Sequence, residues 1–174
     1  GTELARLLTD SLRLPSGTEL ARLLTDSLRL PSRSGIADYR ILRPLQGRAY
    51  PKRYAATYAV ETESDLHTIV YRLNDAPLTS RPPRGAPRAV LYVADRSADA
   101  ELRNEPLAAE VIAAEPEAAF FACDVRGVGE SQPVVSVRDF ATNYGSNYFH
   151  AACGLMFDSP VAGQRTHDLL RLVD

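Results

Sequence analysis

One stretch gathers most of the chemistry this chain can offer. Between Cys123 and Pro133 the sequence CDVRGVGESQP brings a thiol, two carboxylates, a guanidinium and a hydroxyl around two glycines. A dinucleotide cradle would need a third glycine three residues after Gly129 and a helix opening at once, so that free amides and the helix dipole face the pyrophosphate. Gln132 and Pro133 stand there instead. A serine nucleophile would need the strained G-x-S-x-G elbow that presents its hydroxyl, and no such pentapeptide occurs in the chain, so Ser131 lacks that setting. The favoured reading is structural: Gly127 and Gly129 make the turn, while Asp124, Arg126 and Ser131 satisfy exposed backbone groups beside a pocket.

Other reactive side chains are scattered. His150 and Cys153 stand three apart on an expected helix, but two ligands without a second pair make a poor zinc site, so no metal or cofactor is called for. His167 is expected on a helix surface, bonded to Asp168 or Thr166. Tyr144, Tyr148 and Phe149 could line a sugar pocket, although helix-spaced aromatics more often belong to a core. Cys123 and Cys153 are too few for a disulfide framework. A net charge of −2 gives no basis for binding nucleic acid or an anionic membrane. No stretch approaches the roughly 18 uninterrupted apolar residues of a membrane span. With 45% apolar and 24% charged residues, the composition is that of a globular domain.

These residues need elements to position them. Residues 1–16 recur unchanged as 17–32, and each copy carries leucines at helical spacing (Leu4, Leu7, Leu8, Leu12; Leu20, Leu23, Leu24, Leu28). Ser16 stands three before Glu19, as in a capping box, and Pro15 and Pro31 stop the helices. Two units cannot bury a solenoid core, so complete identity fits a recent duplication or an assembly artefact; the alternative is a leucine-rich hairpin that docks on the domain or on a partner. Residues 33–49 read as a linker and 50–174 as the domain. Segments 55–62 and 67–73, rich in Thr, Tyr, Val and Ile around a polar 63–65, predict an antiparallel pair. Four prolines and a glycine make 74–87 a loop. The apolar run in 88–95 predicts a strand covered on both faces and central in its sheet. A helical 100–115, interrupted or started at Pro106, and a strand over 118–124 complete a right-handed β-α-β unit. Helices follow over 148–157 and 164–174.

This succession, closed by Asp124-Val125-Arg126-Gly127-Val128-Gly129-Glu130-Ser131, resembles the N-terminal half of an alpha/beta-hydrolase, where many members place a D-x-R-G-x-G-x-S turn after the fourth strand. The downstream YGSNYFHAACGLMFDSPVAGQRTHDLLRLVD, with Gly163 and Arg165 before a helix, is similar to the acetyl xylan esterase and deacetylase branch. The resemblance covers roughly residues 50–174. It implies an α/β fold of about four strands with flanking helices, preceded by the helical leader, and a serine hydrolase acting on carboxylic esters such as acetylated carbohydrate.

In that family the nucleophile, acid and histidine all follow the fifth strand. This chain is expected to stop before all three, inside the helical HDLLRLVD, and so to be a catalytically silent fragment, with further residues also expected upstream of Gly1. Only the first oxyanion donor could lie here, and the backbone N–H of Asp95 or Arg96 is the candidate; the competing reading is a plain strand-to-helix connection capped by Ser97 or Asp99. Without a fifth strand, residues 90–93 would form an open sheet edge. The other functional expectation is a non-catalytic binding or scaffold fragment that docks through its leucine-rich leader.

Overall fold

The structure, a computed structural model, describes residues 16–77, 87–132 and 144–174. The first repeat copy apart from Ser16, most of the Pro-rich loop and Pro133 lie outside the described residues. The second copy forms helix α1 (Gly17–Leu28). Ser16 caps it by accepting the N–H of Glu19 at 3.3 Å, Arg22 pairs with Asp26 one turn on, and Arg29 ends it in the left-handed region. No residue of α1 is buried, so its leucine stripe stays largely open.

Five strands follow: β1 (Tyr39–Gln46), β2 (Tyr54–Glu63), β3 (Leu66–Asn74), β4 (Ala89–Val93) and β5 (Ala119–Asp124), ordered β1-β2-β3-β5-β4. The architecture is therefore mixed α/β with an open sheet. β2 and β3 pair antiparallel, with Tyr58 opposite Val70, and β3 continues antiparallel onto β5. β4 runs parallel to β5. Between them lie α2 (Ala98–Asn104) and α3 (Pro106–Ala114), the helical stretch being interrupted where Pro106 takes the first helical position of the second helix, as expected. The chain continues with α4 (Ser146–Met156) and α5 (Val161–Val173).

Two expectations are corrected. The stretch read as linker contains β1, making five strands rather than about four. Nearly every residue of β1 is exposed, so no burial pattern marks it, and Pro44 is tolerated because an edge strand need not donate on its outer side. The apolar run 89–93 is not central either: β4 is the last strand of the sheet among the described residues and only half-buried, the open edge that a sheet ending there implies.

Alternation along the strands sorts the side chains. One face carries Tyr58, Val70, Arg72, Phe121 and Leu91; the other carries Thr57, Tyr71, Ala122 and Tyr92. The core includes Tyr71, Leu73, Leu102, Phe120 and Ala122, each at most 2% exposed. Thr62 bonds Asp168 of α5 at 2.8 Å and anchors that helix to β2.

Candidate functional site

Because β4 and β5 are parallel, their carboxyl ends lie at the same end of the sheet, where open α/β sheets place their ligand crevices. The loop after β4 and the glycine turn after β5 meet there. Fully buried Asp124 joins them: Oδ1 accepts the N–H of Ala98 at 2.6 Å, and Oδ2 accepts that of Glu130 at 3.0 Å. A third strut runs from the N–H of Gly129 to the carbonyl of Arg96 at 3.0 Å. Burial pushes the Asp124 carboxyl above its ordinary range, against the two amide hydrogen bonds, which pull it down.

Both glycines of the turn have a stated reason. Gly129 has φ +48 and lies so close to Asp124 that a Cβ would overlap its carboxylate. Gly127 has φ +79, and Asn147 of α4 reaches over it to donate to its carbonyl at 2.7 Å. Ser131 closes a short 3-10 turn, Gly129–Ser131, and its hydroxyl accepts the N–H of Ile69 at 3.2 Å. That hydroxyl ties the turn to β3.

Arg126 faces the other way, towards α5. Its Nη2 donates to Asp168 Oδ1 at 2.7 Å and to Glu63 Oε1 at 2.8 Å, while its backbone N–H donates to Asp168 Oδ2 at 3.1 Å. Burial alone would lower the guanidinium's pKa, but the bonds and charges of Asp168 and Glu63 reverse the direction and raise it. Arg165 adds a bond from Nε to the Arg126 carbonyl at 2.9 Å.

The oxyanion candidates have a partner that the sequence did not announce. Glu101, in the first turn of α2, turns its carboxylate back onto the loop and accepts N–H groups from Asp95 at 3.1 Å, Arg96 at 2.7 Å and Ser97 at 3.2 Å. The Tyr92 hydroxyl donates to its other oxygen at 2.9 Å. Burial raises the Glu101 pKa, yet these donors outweigh it and the net direction is down. Tyr92 is pushed up to about 12, by burial and then by its bond to Glu101. Neither Asp95 nor Arg96 therefore has an amide hydrogen free in this structure. Ser97 also caps α2, its hydroxyl accepting the N–H of Ala100 at 3.4 Å.

The remaining candidates do not gather here. His167 is buried rather than on the surface, with Nε2 at 3.1 Å from the Thr62 carbonyl. His150 and Cys153 form no metal set: no group of three metal-binding side chains occurs among the described residues. Tyr144, Tyr148 and Phe149 are exposed, with the two tyrosine rings stacked at 4.9 Å, and so do not belong to the core.

The arrangement defines an open α/β sheet in which buried carboxylates tie together the segments that follow β4 and β5. No protein-family model matches the chain, and neither does any curated protein compared with it.

Proposed function

We propose that this chain is the front half of a serine hydrolase acting on carboxylic esters, of the acetyl xylan esterase-like kind. In this reading acetylated carbohydrate is the substrate class, and the attacking serine, its acid and its histidine lie outside these 174 residues. The observation that carries the reading is the Asp124 latch, which fixes the loop after β4 and the D-x-R-G-x-G-x-S turn against each other at the carboxyl ends of two parallel strands. Such a latch prepares one wall of a crevice.

Glu101 adds a condition. The Asp95 amide, held less closely than that of Arg96 and shared between the two carboxylate oxygens at 3.1 and 3.3 Å, is the one that a completed site would free for an oxyanion. In this reading the chain alone is silent because the triad lies elsewhere, and Ser131 serves instead to tie its turn to β3 by accepting the Ile69 N–H at 3.2 Å. Continuing the reading frame is the test. A G-x-S-x-G elbow within roughly 20 codons supports the proposal, and a frame without one refutes it. Turnover of a chromogenic acetyl ester by the 174 residues alone, above a heat-treated control, refutes the silent half of the claim.

One observation favours a second reading, a non-catalytic binding or scaffold fragment. Leu20, Leu23 and Leu24 are between 40% and 50% exposed on a helix with no buried residue. A stop codon directly after Asp174, with binding to a partner abolished when these leucines become serine, would establish it.

A further inference from the structure

On the sheet face opposite Tyr71 and Tyr92 lies a cavity of about 380 Å³, walled by Tyr58, Val70, Leu91 and Phe121 and roofed by Leu172 and Val173 of α5. Its size falls in the roughly 300–1,000 Å³ range of small-molecule sites. One polar group of this lining and one beside it lack what burial normally demands. Tyr58 is 3% exposed, and its hydroxyl has no hydrogen-bond partner. Arg72 is 6% exposed, its Nε is likewise without a partner, and no carboxylate pairs with it among the described residues. The guanidinium carbon lies 5.4 Å from the centroid of the Phe121 ring, which is itself a cavity wall. A ring face offsets part of a buried positive charge but accepts none of its directed hydrogen bonds.

A guanidinium whose Nε is buried without a partner or a counter-charge leaves room for an anion to supply both. We propose that this cavity binds a small monocarboxylate with an apolar tail, its head on the Arg72 guanidinium and the Tyr58 hydroxyl and its tail along Leu91, Phe121 and Leu172. The guanidinium fork matches a carboxylate's two oxygens. A single cation balances a single negative charge, so a phosphate monoester, carrying nearly two at neutral pH, would enter with a surplus. The site is separate from the crevice at the carboxyl ends of β4 and β5 and does not depend on the esterase reading.

Calorimetric titration of the full chain with sodium octanoate and, in parallel, with 1-octanol tests the proposal. Octanoate should saturate a single site in the millimolar range or tighter, and octanol, which keeps the tail but loses the charge, should bind at least about ten-fold more weakly. Tyr58→Phe removes only the hydroxyl and should weaken octanoate several-fold while leaving octanol unchanged; Arg72→Met should erase the preference for octanoate. Leu91→Trp, which fills the cavity, should abolish both. Should Arg72→Met fail to fold, the octanoate-to-octanol ratio in the parent chain and in Tyr58→Phe still decides. Equal binding of the two probes, absence of saturable octanoate binding, or indifference to Tyr58→Phe overturns the proposal.

Discussion

Arg126 Nη2 and Asp168 Oδ1 meet at 2.7 Å where the aspartate side chain is 1% exposed and the arginine 14%. The same carboxylate takes the Arg126 amide at 3.1 Å and the Thr62 hydroxyl at 2.8 Å, so one side chain of α5 holds the glycine turn and β2 together. Removing one partner of such a buried pair strands the other's charge, which costs about 3–5 kcal/mol. Glu63 still pairs with Arg126 at 2.8 Å and should hold the loss near the lower end. Asp168→Asn is therefore expected to cost about 3 kcal/mol in urea unfolding, and the double variant Arg126→Met/Asp168→Asn less than the sum of its parts. A loss below about 1 kcal/mol would mean that the pair is ornamental.

Glu101 makes stability depend on pH in a stated direction. Its folded pKa is depressed below the ordinary 4.5, so the folded state holds the ionised form more tightly than the unfolded chain does. The stabilisation is fully present above pH about 4.5 and is lost as pH falls through the lower folded value. Glu101→Gln places an amide group among N–H donors and should cost about 1–3 kcal/mol at neutral pH. The variant's stability should also fall less steeply than the parent's between pH 5 and 3. Parallel acid slopes in the two proteins would show that the carboxylate is not the sensor.

How far the sequence announced these contacts follows from their separation along the chain. The β2–β3 hairpin was legible because its signal is local: Thr, Tyr, Val and Ile alternate on both sides of Glu63-Ser64-Asp65. The turn from Asp124 to Ser131 was legible for the same reason. Its partners were not, since Glu63 stands 63 residues before Arg126 and Asp168 stands 42 after it, and no periodicity links positions so far apart. Glu101 escaped notice because it follows Ser97 by four residues, one more than a capping box allows. The edge strand β1 carries Arg40, Arg43 and Pro44, residues that suit an edge and so conceal a strand. The run from Val90 to Val93 was read correctly as a strand but placed at the centre, because apolar composition reports what side chains avoid and not which backbone pairs with which.

Gly163 bears on the leader. A Cβ built there would overlap the Leu28 carbonyl, so the end of α1 rests on the only side-chain-free position of α5. Around this contact Arg29 pairs with Asp158 at 2.8 Å and Arg33 with Asp174 at 2.9 Å, both exposed and therefore weak. Gly163→Ala should pry α1 from the domain while sparing the sheet. Limited proteolysis is expected to release the leader several-fold faster, with little change in the main unfolding transition. An unchanged cleavage rate would show that the close approach carries no docking energy.

The outer edge of β4 supplies the last prediction. Val93 is 44% exposed, and no described strand pairs with β4 on the side away from β5. Such an edge offers a row of backbone donors and acceptors beside apolar side chains, and natural sheets blunt it with lysine. Nothing of the kind occurs within Ala-Val-Leu-Tyr-Val, so copies of the chain should pair edge to edge as concentration rises. Val93→Lys places a charge on that edge without entering the core, where a lysine could not be tolerated. Sedimentation velocity should show the parent self-associating in the micromolar range and the variant shifted to monomer, with unfolding stability altered by less than about 0.5 kcal/mol. If the two sediment alike as monomers, the edge is protected by some part of the chain that does not pair with it as a strand. If they associate alike, the contact lies elsewhere, and the leucine stripe of α1 becomes the surface to mutate next.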